Sequence, residues 1–289
     1  MPFPTPHLEK LHATHGNDKL PERDKPRVEA AITRYQQWIA DMEAITGDAT
    51  AQLTRMVALL NEYRNYIDVD LVFDSPNDFL YRQKGQLKLD NSVIEEFLPR
   101  LVGNATILPA LAPFHAHVGP IKSFSAAYFN SSLDAIKPGG GLAIKTKDQD
   151  FAIAKPLFIK ASHDAGFQEF ITEKTYISYI AIECKTNLDK TMFQEACATA
   201  NDTKYAVAGA RYYLLCEWLD MAPQSTAPTD IDEIIILRKA KRINSNVRAK
   251  FSTAAGRRGA RAAYVQFLND KPFRLEMFQR LIKHIDELI

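Results

Sequence analysis

The sequence predicts an α/β or α+β fold, a mixed central sheet flanked by helices and preceded by a mainly helical N-terminal region. Three observations carry that expectation. Apolar residues recur at helical spacing across residues 24–67, short strand-like apolar runs dominate from about residue 141 to residue 237, and a proline-punctuated stretch over 99–121 separates the two patterns. We therefore expect a helical region over 1–121 and a second domain over 122–289. The chain has 289 residues, 46% hydrophobic and 25% charged, enough for a sizeable core and unlike a disordered or fibrous protein.

The elements follow in order. Val28, Ile32, Tyr35, Ile39, Met42 and Ile45 form one stripe, and Leu53, Met56, Val57, Leu60, Tyr63 and Ile67 a second, so 24–67 reads as a helical hairpin turning at Gly47 and Asp48. A shorter helix starts at Asn91 or Ser92, where Ser92 and Glu95 have capping-box spacing. A helix is expected over about 122–135. The segments 141–147 and 151–160 read as two strands joined by the polar Lys147–Asp150. Tyr176–Lys185 is the best strand, rich in β-branched and aromatic residues. Residues 190–204 read as a helix, 211–218 and 231–237 as strands, and 272–288 as a last helix with Pro272 in its first turn.

Several function classes drop out. The longest stretch free of charge, 101–121, holds three prolines and two glycines and cannot be a spanning helix. No apolar run of a secretory signal follows the first residues, so a cytoplasmic protein is expected. Cys184, Cys197 and Cys216 are too few and too irregularly spaced for a disulfide framework or a zinc site. His115 and His117 lack acidic or thiol neighbours. Gly139–Gly141 lacks the lysine and hydroxyl residue of a phosphate loop, and no GxSxG elbow occurs.

The chemistry sits on the strand Tyr176–Lys185. Side chains alternate along a strand, so Glu183 and Lys185 point to one side at its end while Ile180, Ile182 and Cys184 point to the other. Two charges at the end of an apolar strand are costly unless they pair or bind something. Asp150 opens the preceding apolar run; if the two strands are neighbours, its carboxylate meets that of Glu183. Adjacent carboxylates resist joint ionisation, and a hard divalent cation such as Mg²⁺ relieves them. Lys185 then steers or deprotonates an attacking water, a set suited to phosphodiester hydrolysis.

Asp150 before a strand, with Glu183, Cys184 and Lys185 at the end of the next, resembles the PD-(D/E)XK nuclease superfamily over roughly residues 122–220. The run Glu183–Glu195, with Asn201–Tyr205 after it, resembles more narrowly the subunits of type II restriction endonucleases, the BbvCI-like heterodimeric enzymes. That resemblance implies a restriction-endonuclease-like fold and Mg²⁺-dependent cutting of duplex DNA at a specific sequence. It implies Asp150 and Glu183 as metal ligands, the Cys184 carbonyl as a third, Lys185 as the catalytic lysine and Gln194 as a polar partner on the following helix. It also implies a second copy or a sister subunit for the second strand. Gln149 stands where the family has proline, which leaves Asp148 as an alternative first acid.

A basic segment follows. Between residues 238 and 261 lie Arg238, Lys239, Lys241, Arg242, Arg248, Lys250, Arg257, Arg258 and Arg261, with no acid among them. Such a run suits a phosphate backbone, where each contact releases counterions. The expectation is a restriction-type endodeoxyribonuclease whose N-terminal region, 1–121, is accessory or contacts the DNA. The alternatives are a repair or junction-resolving nuclease of the same fold, or a DNA-binding partner subunit without the chemistry.

Overall fold

The computed structural model describes residues 3–289. The N-terminal part is helical: α1 (Pro6–His15), α2 (Lys25–Glu43), α3 (Ala49–Tyr66), α4 (Phe79–Gln83) and α5 (Asn91–Val102). The expected hairpin is α2 and α3. Gly47, at φ +114°, makes the turn, and the Asp48 carboxylate accepts from Ala51 N–H at 2.8 Å as the cap of α3. A π-helical stretch, Ile67–Phe73, continues α3. At α5 the cap is Asp90, which accepts from Asn91 N–H, while Ser92 donates back to the Lys88 carbonyl; the expected Ser92–Glu95 box does not form.

Five strands form one sheet in the order β1-β2-β3-β4-β5: His117–Phe129, Leu142–Ala161, Ile171–Leu188, Arg211–Leu219 and Glu233–Ile236. β1, β2 and β3 pair antiparallel, whereas β4 and β5 run parallel to β3. The connection from β3 to β4 passes through α6 (Lys190–Ala206), capped by Asp189 on Met192 N–H. After β5 come α7 (Ser245–Ala249), α8 (Ala254–Asp270) and α9 (Leu275–Asp286).

Some local expectations are corrected. The segment 122–135 is not a helix, because its residues up to Phe129 pair with β2 from Leu142 to Asp148. The small residues Ser123, Ser125, Ala126 and Ala127 fit either state, and the ladder decides. The two strands expected over 141–160 are the single strand β2; Lys147–Asp150 is no turn, since Lys147 and Asp148 pair with Ser123 and Lys122. The last helix begins at Leu275, with Pro272 ahead of it.

One face of the sheet packs on α6 through Ala181, Tyr212 and Leu214, with Ala196 and Ala200 opposite. The other face belongs to a larger cluster that joins Ile180, Ile182 and Leu215 to Phe97, Leu101, Phe278 and Leu281. That cluster includes buried residues on both sides of residue 121, and residue 122 lies inside β1. The N-terminal helices and the sheet therefore share apolar packing, and α5 lies against the strands that carry the acids. Among the described residues, no helix is long and apolar enough to cross a membrane.

Candidate active site

The site forms where β2 and β3 part. Their ladder ends at Phe151 opposite Ile182, while β3 goes on pairing with β4 through Glu183, Cys184 and Lys185. On the other side of β2, Asp150 and Phe151 together oppose the single residue Pro120 of β1. Proline has no N–H to give the ladder, and a bulge of this kind bends the strand and re-aims its side chains. Asp150 thereby turns toward β3, and its Oδ2 accepts from the freed Cys184 N–H at 2.9 Å. Glu183 follows Ala181 on the α6 side, as alternation requires. Its Oε1 lies 2.6 Å from the Lys185 ammonium, and its Oε2 accepts from the Tyr212 hydroxyl on the neighbouring strand.

The electrostatics describe an excess of buried negative charge. Burial pushes the Asp150 carboxyl up; the Cys184 N–H opposes this, and the Glu183 charge reinforces it. Glu95, buried on α5, is raised to about 7, first by burial and then by repulsion from Asp150. Lys185 is disfavoured as a cation by burial, but the hydrogen bond and charge of Glu183 prevail, and its pKa lies above the ordinary lysine value. Burial, then Glu183, also raises the Tyr212 phenol, so it remains a donor. The Cys184 thiol is held well above its usual range by burial, which removes it as a nucleophile and leaves only its backbone for the site.

No three His, Cys, Asp or Glu side chains among the described residues gather as a ready-made metal cage. The donor chemistry nevertheless fits a hard cation. Asp150 and Glu183 offer carboxylate oxygens and Cys184 a backbone carbonyl, and Glu95 adds a repelled acid nearby. Few protein oxygens completed by water suit Mg²⁺ better than a closed cage would.

Asp150 and Lys185 open on a cleft of about 650 Å³ between the N-terminal helices and the sheet. Arg82, Lys84 and Lys88 line it from the N-terminal side, and Arg242 and Arg248 from the basic segment. With Lys185 these make six cations against two lining carboxylates, Asp90 and Asp150, so the cleft suits a polyanion.

The structure brings together Asp150, Glu183, Cys184 and Lys185, but not every residue expected there. Asp148 is exposed and pairs across β1 with Lys122, away from Glu183. Gln194 is exposed on α6 without a hydrogen bond among the described residues; it is the charge of Glu195 that reaches Lys185.

The basic segment divides. Arg238 is 1% exposed, lies over the Trp218 and Phe273 rings and pairs with Glu217, so it is no DNA contact. Arg257 is fully buried and donates to the carbonyls of Phe73, Ser75, Asn77 and Phe251, so it too is removed from that list. Arg261 is held by Asp74, and Lys239 by Glu276, at the surface. Arg242 and Arg248 share Asp220 beside the cleft, whereas Lys241, Lys250 and Arg258 are exposed.

Sequence reasoning missed Glu95, Tyr212 and the cations of 82–88. The signal for Glu95 was a charge inside the apolar stripe Val93, Ile94, Phe97 and Leu98, which a cap reading had absorbed. Nothing in the sequence pointed Tyr212 at Glu183.

Comparison with known proteins bears on this site. The sequence pattern described as Bpu10I restriction endonuclease matches residues 86–289. Among solved structures, one described as the native BbvCI A2B2 tetramer at low resolution is similar to the chain, with a TM-score of 0.61 and 20% identity. The match covers 91% of this chain and 96% of that one. No curated protein sequence matches.

Proposed function

The chain belongs to the Bpu10I restriction endonuclease family, and from that premise we propose that it cuts one strand of duplex DNA at a specific sequence, with Asp150, Glu183 and Lys185 as its catalytic centre. One observation carries this reading: Asp150 accepts from the Cys184 N–H where β2 leaves β3, close enough to Glu183 to feel its charge, beside a cleft whose charged lining residues are mostly cations. That is the arrangement expected of a PD-(D/E)XK nuclease.

Mg²⁺ would be held by the Asp150 and Glu183 carboxylates and the Cys184 carbonyl, where it supplies Lewis-acid stabilisation of charge developing on the phosphate. The chain's own groups do the rest. Lys185, with its pKa above the ordinary value, works as an ammonium; it attracts a phosphate oxygen and orients the attacking water instead of removing its proton. Glu95 has its proton affinity near neutrality and lies close enough to Asp150 to feel its charge, so it is the acid best matched to accept a proton at the site. Tyr212 fixes the rotamer of Glu183. Arg242 and Arg248, with exposed Lys241, Lys250 and Arg258, contact the DNA backbone in this reading.

One centre cuts one strand, so a double-strand break needs a second copy or a sister subunit. The similar structure, described as an A2B2 tetramer, supports a sister subunit. Unpaired cysteines suit a reducing cytoplasm, the compartment this reading assigns. The test is incubation of long duplex DNA with the chain, alone and with its sister subunit, with and without Mg²⁺, followed by end mapping. Mg²⁺-dependent cuts at one sequence that disappear with Lys185→Ala support the reading. Cutting restricted to branched DNA points to a junction-resolving enzyme instead, and DNA binding without any cleavage in either mixture to a non-catalytic subunit.

A further inference from the structure

Of the six cations that line the cleft, five are already engaged. Lys185 pairs with Glu183, Lys84 reaches Asp68 and Asp90, and Arg242 and Arg248 share Asp220. Arg82 bonds the Ser252 carbonyl and pairs with Asp78. Lys88 stands apart: it is exposed, and among the described residues its ammonium has neither an ion-pair nor a hydrogen-bond partner.

Its backbone is unusual as well. Lys88 sits at φ +53°, in the left-handed region where glycine is the low-energy choice and a lysine carries a penalty. The turn is held by backbone bonds from Lys88 N–H to the Gly85 carbonyl and from Leu89 N–H to the Lys84 carbonyl. Lys88 lines the same cleft as Asp150 and Lys185, and its charge is felt by both Asp150 and Glu95. A free cation beside repelled acids has an obvious complement, an anion that approaches over them.

We propose that Lys88, from the N-terminal helical region, contacts the DNA phosphate seated over Asp150 and so completes the active site opposite Lys185. The inference rests on the nuclease reading above and adds a residue to it. It places one cation on each side of the reacting group, contributed by different parts of the chain. Because the ammonium has no protein partner to give up, binding phosphate costs it no ion pair.

The test uses the full chain, with its sister subunit where cleavage requires one, as wild type, Lys88→Met and Lys88→Arg. Methionine keeps most of the apolar stem and removes the charge. For binding of a short labelled DNA duplex, the slope of log K against log salt should shrink by about 0.9 in K88M and be kept in K88R, as expected for one phosphate contact. Single-turnover cleavage at saturating DNA with Mg²⁺ should fall roughly 10–100-fold in K88M and recover in part in K88R, the size of one lost charge-assisted hydrogen bond. If wild type binds and cuts while K88M matches it in slope and rate, this inference fails and the nuclease reading stands. If K88M instead loses thermal stability with its salt slope unchanged, the residue is structural and the inference again fails. If wild type neither binds nor cuts DNA, the nuclease reading falls and takes this inference with it.

Discussion

Glu95→Gln tests the charge balance of the site most directly. Glu95 is buried on α5, and its pKa is raised from an ordinary 4.5 to about 7, by burial first and by Asp150 second. A raised carboxyl favours folding in its protonated form. Its contribution is therefore fully present below about pH 4.5 and is lost as pH rises through about 7. The gap corresponds to about 3 kcal/mol. Glutamine has nearly the same shape, cannot ionise, and keeps an oxygen for the bond from Asn91 that Glu95 now accepts at 2.6 Å. Urea unfolding of wild type and E95Q in metal-free buffer, at pH 5 and again at pH 8, measures the difference. E95Q should gain about 2.5 kcal/mol on wild type between the two conditions, since part of the effect is already present at pH 5, and lose cleavage activity, a trade of function for stability. A difference between the two proteins that stays flat from pH 5 to pH 8 would refute the charge balance described here. Added Mg²⁺ should shrink the difference at pH 8, because a bound cation stabilises the ionised acids of wild type more than those of the variant.

Other substitutions separate site from scaffold. Asp150→Asn should abolish Mg²⁺-dependent cleavage, while Asp148→Asn, at an exposed position, should stay within a factor of about two of wild type, since exposed substitutions rarely act at a distance; comparing initial cleavage rates of the two settles which acid is used. Arg238→Ala should destabilise the fold by about 3–5 kcal/mol by leaving Glu217 short of a partner, without the specific loss of salt sensitivity expected of a phosphate contact. Arg248→Ala should do the reverse, leaving the melting temperature nearly unchanged and reducing the salt slope of DNA binding by about 0.9.

Much of the site was legible because it depends on local alternation. Glu183 and Lys185 had to share a face once Tyr176–Lys185 was a strand, and Asp150 had to meet them if β2 was its neighbour. What sequence could not show was the route by which Asp150 gets there. The bulge opposite Pro120 depends on β1, whose small residues also fit a helix. The basic segment misled for a related reason. It contains no acid of its own, but Glu217, Asp220, Asp74, Asp78 and Glu276 come to it from elsewhere in the chain. A count along the sequence registers the absence of local partners, whereas burial and pairing are set by neighbours far away in it.

A buried cluster of charges also links the N-terminal helices to the sheet. Arg64 of α3 is buried between Asp68 of the π-helical stretch and Glu217 of β4, at 2.7 and 2.9 Å. Asp68 in turn faces Lys84, and Lys84 faces Asp90, the cap of α5. A line of charges thus runs from the sheet that carries Asp150 and Lys185 to the start of the helix that carries Glu95, just past Lys88. Breaking a buried ion pair by removing one partner is strongly destabilising, so the cluster favours the arrangement in which all its partners meet. Arg64→Met should lower stability by about 3–5 kcal/mol, since Asp68 and Glu217 would lose their shared cation. If the cluster sets the docking geometry, the fraction of R64M that remains folded should also cut DNA more slowly than wild type in single turnover, with the folded fraction measured by near-UV circular dichroism in the same buffer. Folded R64M that cuts at the wild-type rate would mean that apolar packing alone aligns the two halves, and that the buried charges contribute to stability without positioning the site.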